Sequence, residues 1–284
     1  MVNISFFLSI FRLMRPKQWV KNLFVLAPLI FSGYFLEMNS IVDAFIAFSL
    51  FCMASSATYV LNDYIDVAAD QRHPVKSKTR PIAAGEVTKR QARSLMIVLY
   101  GLVVFMGYFY PDLTLVIICY LIVNILYTFY LKHKPVLDIF TISFGFVLRV
   151  YAGAVAINVP LSNWMFVTTL SLALFLGSIK RRQELLNHGS NSRTVLEKYN
   201  LALVDKYASM AATSSLLFYS LYVLSSNPDM VITIPFVLFG FYHYWYLVET
   251  MSKGESPTDV LLKDKILRIT IVCWTVSCIY CIVK

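Results

Sequence analysis

Long apolar runs dominate this sequence, separated alternately by tight polar turns and by longer charged segments. A membrane span needs about 20 mainly apolar residues. Runs of that kind fall at 20–37, 40–61, 94–110, 113–131, 136–157, 163–179, 207–226, 230–250 and 266–283. The pattern predicts an all-α, polytopic membrane protein of about nine transmembrane helices. No internal repeat, low-complexity tract or linker divides it, so 1–284 reads as a single domain. Ahead of the spans, Met1 to Pro16 holds the apolar run Ile4 to Ile10, with no basic stretch before it and no small-residue cleavage site after it. Residues 1–16 are therefore expected to form an interfacial amphipathic helix rather than a signal peptide.

The polar breaks are of two kinds. Those at Glu37 to Asn39, Tyr110 to Asp112, Asn158 to Ser162 and Ser226 to Asp229 are short, whereas the others are long and basic. Of 25 Lys and Arg residues, only Arg149 and Lys284 lie outside that long, basic set. The positive-inside rule then places the N-terminus and the long loops in the cytoplasm, within a cell inner membrane, and the odd span count leaves the C-terminus outside. A mean hydropathy of +0.66 excludes a water-soluble domain of this length. The net charge of +9 reflects topology and attraction to anionic lipid headgroups in the bilayer; nucleic acid is not implied. Cys52, Cys119, Cys273, Cys278 and Cys281 all fall in apolar stretches, so disulfides are not expected.

Chemistry concentrates where the second span ends, in Asn62-Asp63-Tyr64-Ile65-Asp66-Val67-Ala68-Ala69-Asp70. On one helix, carboxylates at i, i+3 and i+7 project within roughly 60° of one another. Such a cluster suits magnesium, with manganese as a substitute, because this ion takes one or two carboxylates and completes its shell with water and phosphate oxygens. A solvated helix end paired with Lys76, Lys78 and Arg80 is the plainer account. The basic, turn-rich stretch from Arg72 to Gly85 follows, and its cations could clamp phosphates.

Three further groups stand out. Asp138 and Arg149 are eleven residues apart, so they return to one helix face and can point toward one polar cavity. Lys180-Arg181-Arg182-Gln183-Glu184 ends the sixth span, either as an ordinary positively charged helix end or as a socket for a lipid phosphate, with Glu184 able to approach a metal. For His243, and for Asp259 and Asp264 near helix starts, structural satisfaction and capping are the expected roles.

The run Asn62-Asp63-x-x-Asp66-x-x-x-Asp70, followed by His73-Pro74 and Arg80-Pro81, resembles the first aspartate-rich motif of the UbiA superfamily of membrane prenyltransferases. That resemblance implies nine helices around a cytoplasm-facing cavity. Arg15-Pro16-Lys17-Gln18-Trp19-Val20-Lys21-Asn22 is similar to the opening of the decaprenyl-phosphate phosphoribosyltransferase branch. So are Tyr127 with Leu131-Lys132, Pro135-x-Leu137-Asp138, Arg149 with Gly153, Lys180-Arg181 with Glu184, and Ser256-Pro257-Thr258 before Asp264. The superfamily's usual second aspartate pair is replaced by Lys180 to Glu184, and His243-Tyr244 stands where Arg-Tyr is expected.

The resemblance implies transfer of phosphoribosyl from 5-phosphoribosyl 1-pyrophosphate to a polyprenyl phosphate. Asp63, Asp66 and Asp70 would serve as the catalytic, magnesium-holding acids. Asn62 and Tyr127, with Asp138 and Glu184, would belong to the substrate site. Lys17, Lys21, Lys76, Lys78, Arg80 and Lys132 would meet the sugar phosphates, and Arg149, Lys180 and Arg181 the lipid phosphate. Prenyl transfer from a diphosphate to an aromatic acceptor is the enzymatic alternative, and secondary transport the non-enzymatic one.

Overall fold

A computed structural model describes residues 4–72, 75–188, 195–251 and 256–284, and its regular structure is all helical among them. His73 and Pro74 of the expected motif lie outside the described residues. Helix α1 (Ile4–Leu13) leads into a 3-10 segment, Pro16–Leu26, followed by α2 (Ala27–Phe31). Helices α3 (Met38–Ile65), α4 (Val67–Arg72) and α5 (Lys76–Thr79) carry the acidic motif and its loop. The bundle continues with α6 (Lys89–Gly107), α7 (Pro111–Phe129), α8 (Leu137–Ala156), α9 (Asn163–His188), α10 (Leu201–Ser226), α11 (Ile234–Met251), α12 (Pro257–Lys263) and α13 (Lys265–Val283).

Among the described residues, six stretches are helical, long and apolar enough to cross a membrane: Met38–Ile65, Pro111–Phe129, Leu137–Ala156, Leu201–Ser226, Pro228–Thr250 and Lys265–Val283. The expected span at 163–179 falls within α9, and the one at 94–110 runs three residues past the end of α6 at Gly107. The expected span at 20–37 is not one helix. It divides into the 3-10 segment, α2, a turn at Gly33 with φ of 79°, and a second 3-10 turn, Tyr34–Leu36. Pro28, in the first turn of α2, cannot donate a backbone hydrogen bond to the preceding turn, and a 3-10 segment ends there at no cost in pairing.

Packing explains why so irregular a segment is ordered. It lies against α3 and α8. A Cβ on Gly153 would stand 1.8 Å from the Val25 carbonyl oxygen, so only glycine lets the two backbones approach this closely. Val25 then joins Ala47, Leu50, Phe51, Leu113, Val116, Ile117, Leu148 and Ala152 in the largest apolar core. The N-terminal α1 packs Leu13 against Val60, Ile82, Val87, Ala92 and Met96. Its Phe7, Leu8 and Phe11 stay exposed.

Helix lengths set where the polar ends lie. At about 1.5 Å per residue a 28-residue helix exceeds the roughly 30 Å of bilayer hydrocarbon. Helix α3 has 28 residues and α9 has 26, so Asn62 and Asp63 on one and Lys180 to Glu184 on the other reach the polar end of the bundle.

Candidate active site

The helices enclose a cavity of about 1530 Å³ with a polar end and apolar walls. Phe24, Ile30, Phe31, Phe146, Leu172, Phe175, Phe241, Tyr244 and Trp274 are among the wall residues. At the polar end, Lys21, Asn62, Asp66, Asp70, Lys76, Arg80, Tyr127, Lys132 and Lys180 line the cavity, and Arg149 lies deeper. Lys17, Asp63, Lys78, Asp138, Arg181 and Glu184 do not face it, although sequence reasoning grouped them with the site.

The acidic motif is not one continuous helix face. Helix α3 ends at Ile65, Asp66 is its C-cap residue, and α4 restarts the chain at Val67. The break separates the three carboxylates in orientation. Asp63, 2% exposed, turns into the protein and is ion-paired with both Arg15 and Arg80. Asp70 is buried, with Oδ2 at 2.9 Å from Arg80 and Oδ1 at 3.7 Å from Lys76. Asp66 lines the cavity and has no ion-pair partner among the described residues. Among the described residues no group of three His, Cys, Asp or Glu side chains is close enough to hold an ion, so Asp63, Asp66 and Asp70 do not by themselves form the expected three-carboxylate site.

Arg149 is buried with no acid beside it. Its Nε donates to Asn22 Oδ1 at 2.8 Å, Nη1 to the Gly145 carbonyl at 2.7 Å, and Nη2 to the Tyr120 hydroxyl at 3.1 Å. The guanidinium also sits over the Tyr120 ring at 4.8 Å and the Phe146 ring at 5.3 Å. These partners hold the cation without cancelling its charge, which leaves it attractive to an anion in the cavity. Asn22 is itself fixed by donating to Ser55 Oγ at 3.1 Å. It comes from the 3-10 segment that Gly153 admits.

Asp138 does not share the cavity with Arg149. Fully buried, it sits with Oδ2 at 3.0 Å from Arg181 Nε and accepts the Tyr199 hydroxyl on Oδ1 at 2.7 Å. Arg181, 0% exposed, is also paired with Glu184. The pair joins α8 to α9, which pack side by side, and both carboxylates neutralise a guanidinium that does not line the cavity.

Nearby expectations of structural roles hold. His243 Nε2 is 2.9 Å from Asp264, which caps α13 by accepting the Leu267 amide, and Ser256 caps α12. All five cysteines are unpaired thiols.

Residues 25–260 match the UbiA prenyltransferase family. The chain belongs to that family. It is 36% identical, over 95% of its length and 84% of the relative's, to the decaprenyl-phosphate phosphoribosyltransferase of Corynebacterium glutamicum. The enzyme of that name from Mycolicibacterium smegmatis is 34% identical over 94% of this chain and 90% of its own. In three dimensions the chain resembles a UbiA homolog from Archaeoglobus fulgidus bound to GPP and Mg2+, with a TM-score of 0.73 at 15% identity, covering 97% of this chain and 100% of that one. As a UbiA protein it is a multi-pass membrane protein.

Arg15 stands in the opening motif, yet sequence reasoning gave it no place in the site. It lines the cavity, pairs with Asp63, and stacks on Tyr59 at 5.1 Å from the ring centre. Its backbone adopts φ of 53°, where non-glycine residues are uncommon. The available signal was indirect: an aspartate buried like Asp63 needs cations, and Arg15 stands at the start of a segment that must return to the bundle.

Proposed function

We propose that this protein transfers the 5-phosphoribosyl group of 5-phosphoribosyl 1-pyrophosphate to a polyprenyl phosphate of the decaprenyl type, releasing pyrophosphate, with its cavity open to the cytoplasm in a cell inner membrane. One observation carries the reading. A single cavity presents two unlike charged zones, carboxylates with cations at its polar end and, farther in, an arginine with no acid. Two anionic substrates, one carried by a metal and one not, suit such a division.

The donor would lie at the polar end. Arg80, Lys76 and Lys132 line it and take up the charge that builds on the departing diphosphate. The residues fit magnesium: Asp66 and Asp70 both line the cavity beside Asn62, and Asp66 carries no ion pair among the described residues. When bound to those two carboxylates, magnesium would add positive charge at the diphosphate oxygens. Asp63 holds Arg80 in place rather than facing the ligand.

The acceptor phosphate would meet Arg149, Lys21 and Lys180, with its isoprenoid chain along the apolar walls. A phosphate oxygen attacks the anomeric carbon of the ribose, the bond from that carbon to the diphosphate oxygen breaks, and pyrophosphate leaves with the electron pair. A phosphate is already an anion at neutral pH, so no general base is required. Arg181 has no part in this contact, since Asp138 and Glu184 occupy it.

Purified protein in lipid, given labelled ribosyl donor and polyprenyl phosphate, is expected to form a labelled lipid. Failure to do so, together with product from a prenyl diphosphate and an aromatic acid, would replace this reading by prenyl transfer.

A further inference from the structure

The turn between α7 and α8 brings Lys132 and His133 to the cavity, and it ends in an unusual backbone. Val136 has φ of 69°, a conformation that a β-branched residue adopts only where its surroundings impose it. The imposing group comes from 63 residues away. Tyr199 Oη accepts the Val136 amide N–H at 2.6 Å and donates to Asp138 Oδ1 at 2.7 Å. The Tyr199 ring is buried against Ile139, Val195, Leu196 and Val204, and Asp138 is anchored in turn by Arg181. Burial, with the neighbouring Asp138 carboxylate, pushes the Tyr199 phenol above its ordinary range, so the hydroxyl stays protonated and able to donate.

Tyr199 does not line the cavity. Its hydroxyl spans both ends of the strained stretch, Val136 and Asp138, just after the turn that carries Lys132. A buried Tyr-Asp-Arg-Glu group is a costly way to join α8 and α9, because apolar side chains would pack there at no desolvation cost. Fixing a backbone geometry is what such a group adds.

We infer that Tyr199 is a positioning residue: by clamping Val136 and Asp138 it holds the 131–138 turn so that Lys132 reaches the phosphates of the sugar donor. The identity of that donor rests on the function proposed above; the clamp itself does not.

Tyr199→Phe keeps the packed ring and removes the hydroxyl. The KM for the ribosyl donor should rise about fivefold, the scale of one buried hydrogen bond, with kcat and the lipid KM changed less than about twofold. In a Lys132→Ala background the same substitution should add nothing, because its effect passes through Lys132. Amide hydrogen exchange at Val136 should accelerate. Equal rises in both KM values, additivity with Lys132→Ala, or an unchanged donor KM would overturn the clamp. If the wild-type protein does not use the ribosyl donor at all, the functional reading fails, and exchange at Val136 alone then decides: faster in Tyr199→Phe supports the clamp, unchanged refutes it. Should Tyr199→Phe not accumulate, it is combined with Val136→Gly, because glycine adopts a φ near 69° without strain and leaves the unclamped turn free. The pair must raise the donor KM alone, and an equal change in both KM values would overturn the inference.

Discussion

The carboxylates of one short motif have separate surroundings. Asp66 and Asp70 face the cavity, whereas Asp63 is bound to Arg15 and Arg80. Asp66→Asn or Asp70→Asn is expected to lower turnover by about a hundredfold while leaving the protein folded, the scale for losing a charge partner in a transition state. Full activity after exhaustive chelation, checked by metal analysis, would count against magnesium at these acids. Neighbouring cations on α9 should likewise part company. Lys180→Ala should raise the KM for the lipid phosphate more than that for the sugar donor. Arg181→Ala should destabilise the fold by about 3–5 kcal/mol, because Asp138 and Glu184 would lose the buried cation they share. Thermal unfolding in detergent, read beside the kinetics, separates the two. The sequence displayed these residue types but not their partners. Asp138 and Arg149 do return to one helix face, yet Arg181 from α9 claims the aspartate, and a helical wheel for α8 alone carries no information about α9.

At the scale of elements, most apolar runs became helices because a bilayer-length run has few other ways to satisfy its backbone. The run at 20–37 defeats that rule. Proline, a 3-10 geometry and a close approach to α8 decide its shape, and the last of these depends on a residue more than a hundred positions away. Gly153→Ala should therefore act at a distance. The added methyl must displace Val25, draw Asn22 from Arg149, and weaken lipid-phosphate binding, with a lower unfolding temperature. If Gly153→Ala were as stable and as active as the parent, the close approach would have no consequence for the site. The break between α3 and α4 was also hidden, since the spacing of Asp63, Asp66 and Asp70 describes one face only while the helix continues.

For the whole molecule, the charge pattern and the motif order pointed to the family, and the cavity gives that order a geometry. The choice of electrophile is a property of the complete cavity, because it depends on which charged zone receives which substrate. With oxygen-18 in the position bridging the lipid carbon and its phosphate, the label should remain in the product lipid as the ribosyl carbon–oxygen bond breaks. Loss of the label would mean cleavage at the lipid carbon.

The hydrogen bond from Arg149 to Asn22 joins positions 127 residues apart, and this has a consequence for synthesis on the ribosome. At roughly 5–20 residues per second, Asn22 emerges about ten seconds before its partner exists. Through that interval residues 16–26 have no α8 to lie against, and the cationic Lys17 and Lys21 would keep them at the headgroup surface. A nascent chain arrested before Gly153 emerges should leave a cysteine placed at position 25 open to a water-soluble maleimide, and one arrested after α8 has inserted should protect it. Equal labelling at both lengths would mean that the segment docks without its groove. The substrate-binding end of this protein is thus completed late, by an early-made segment that waits at the membrane surface for its counterpart.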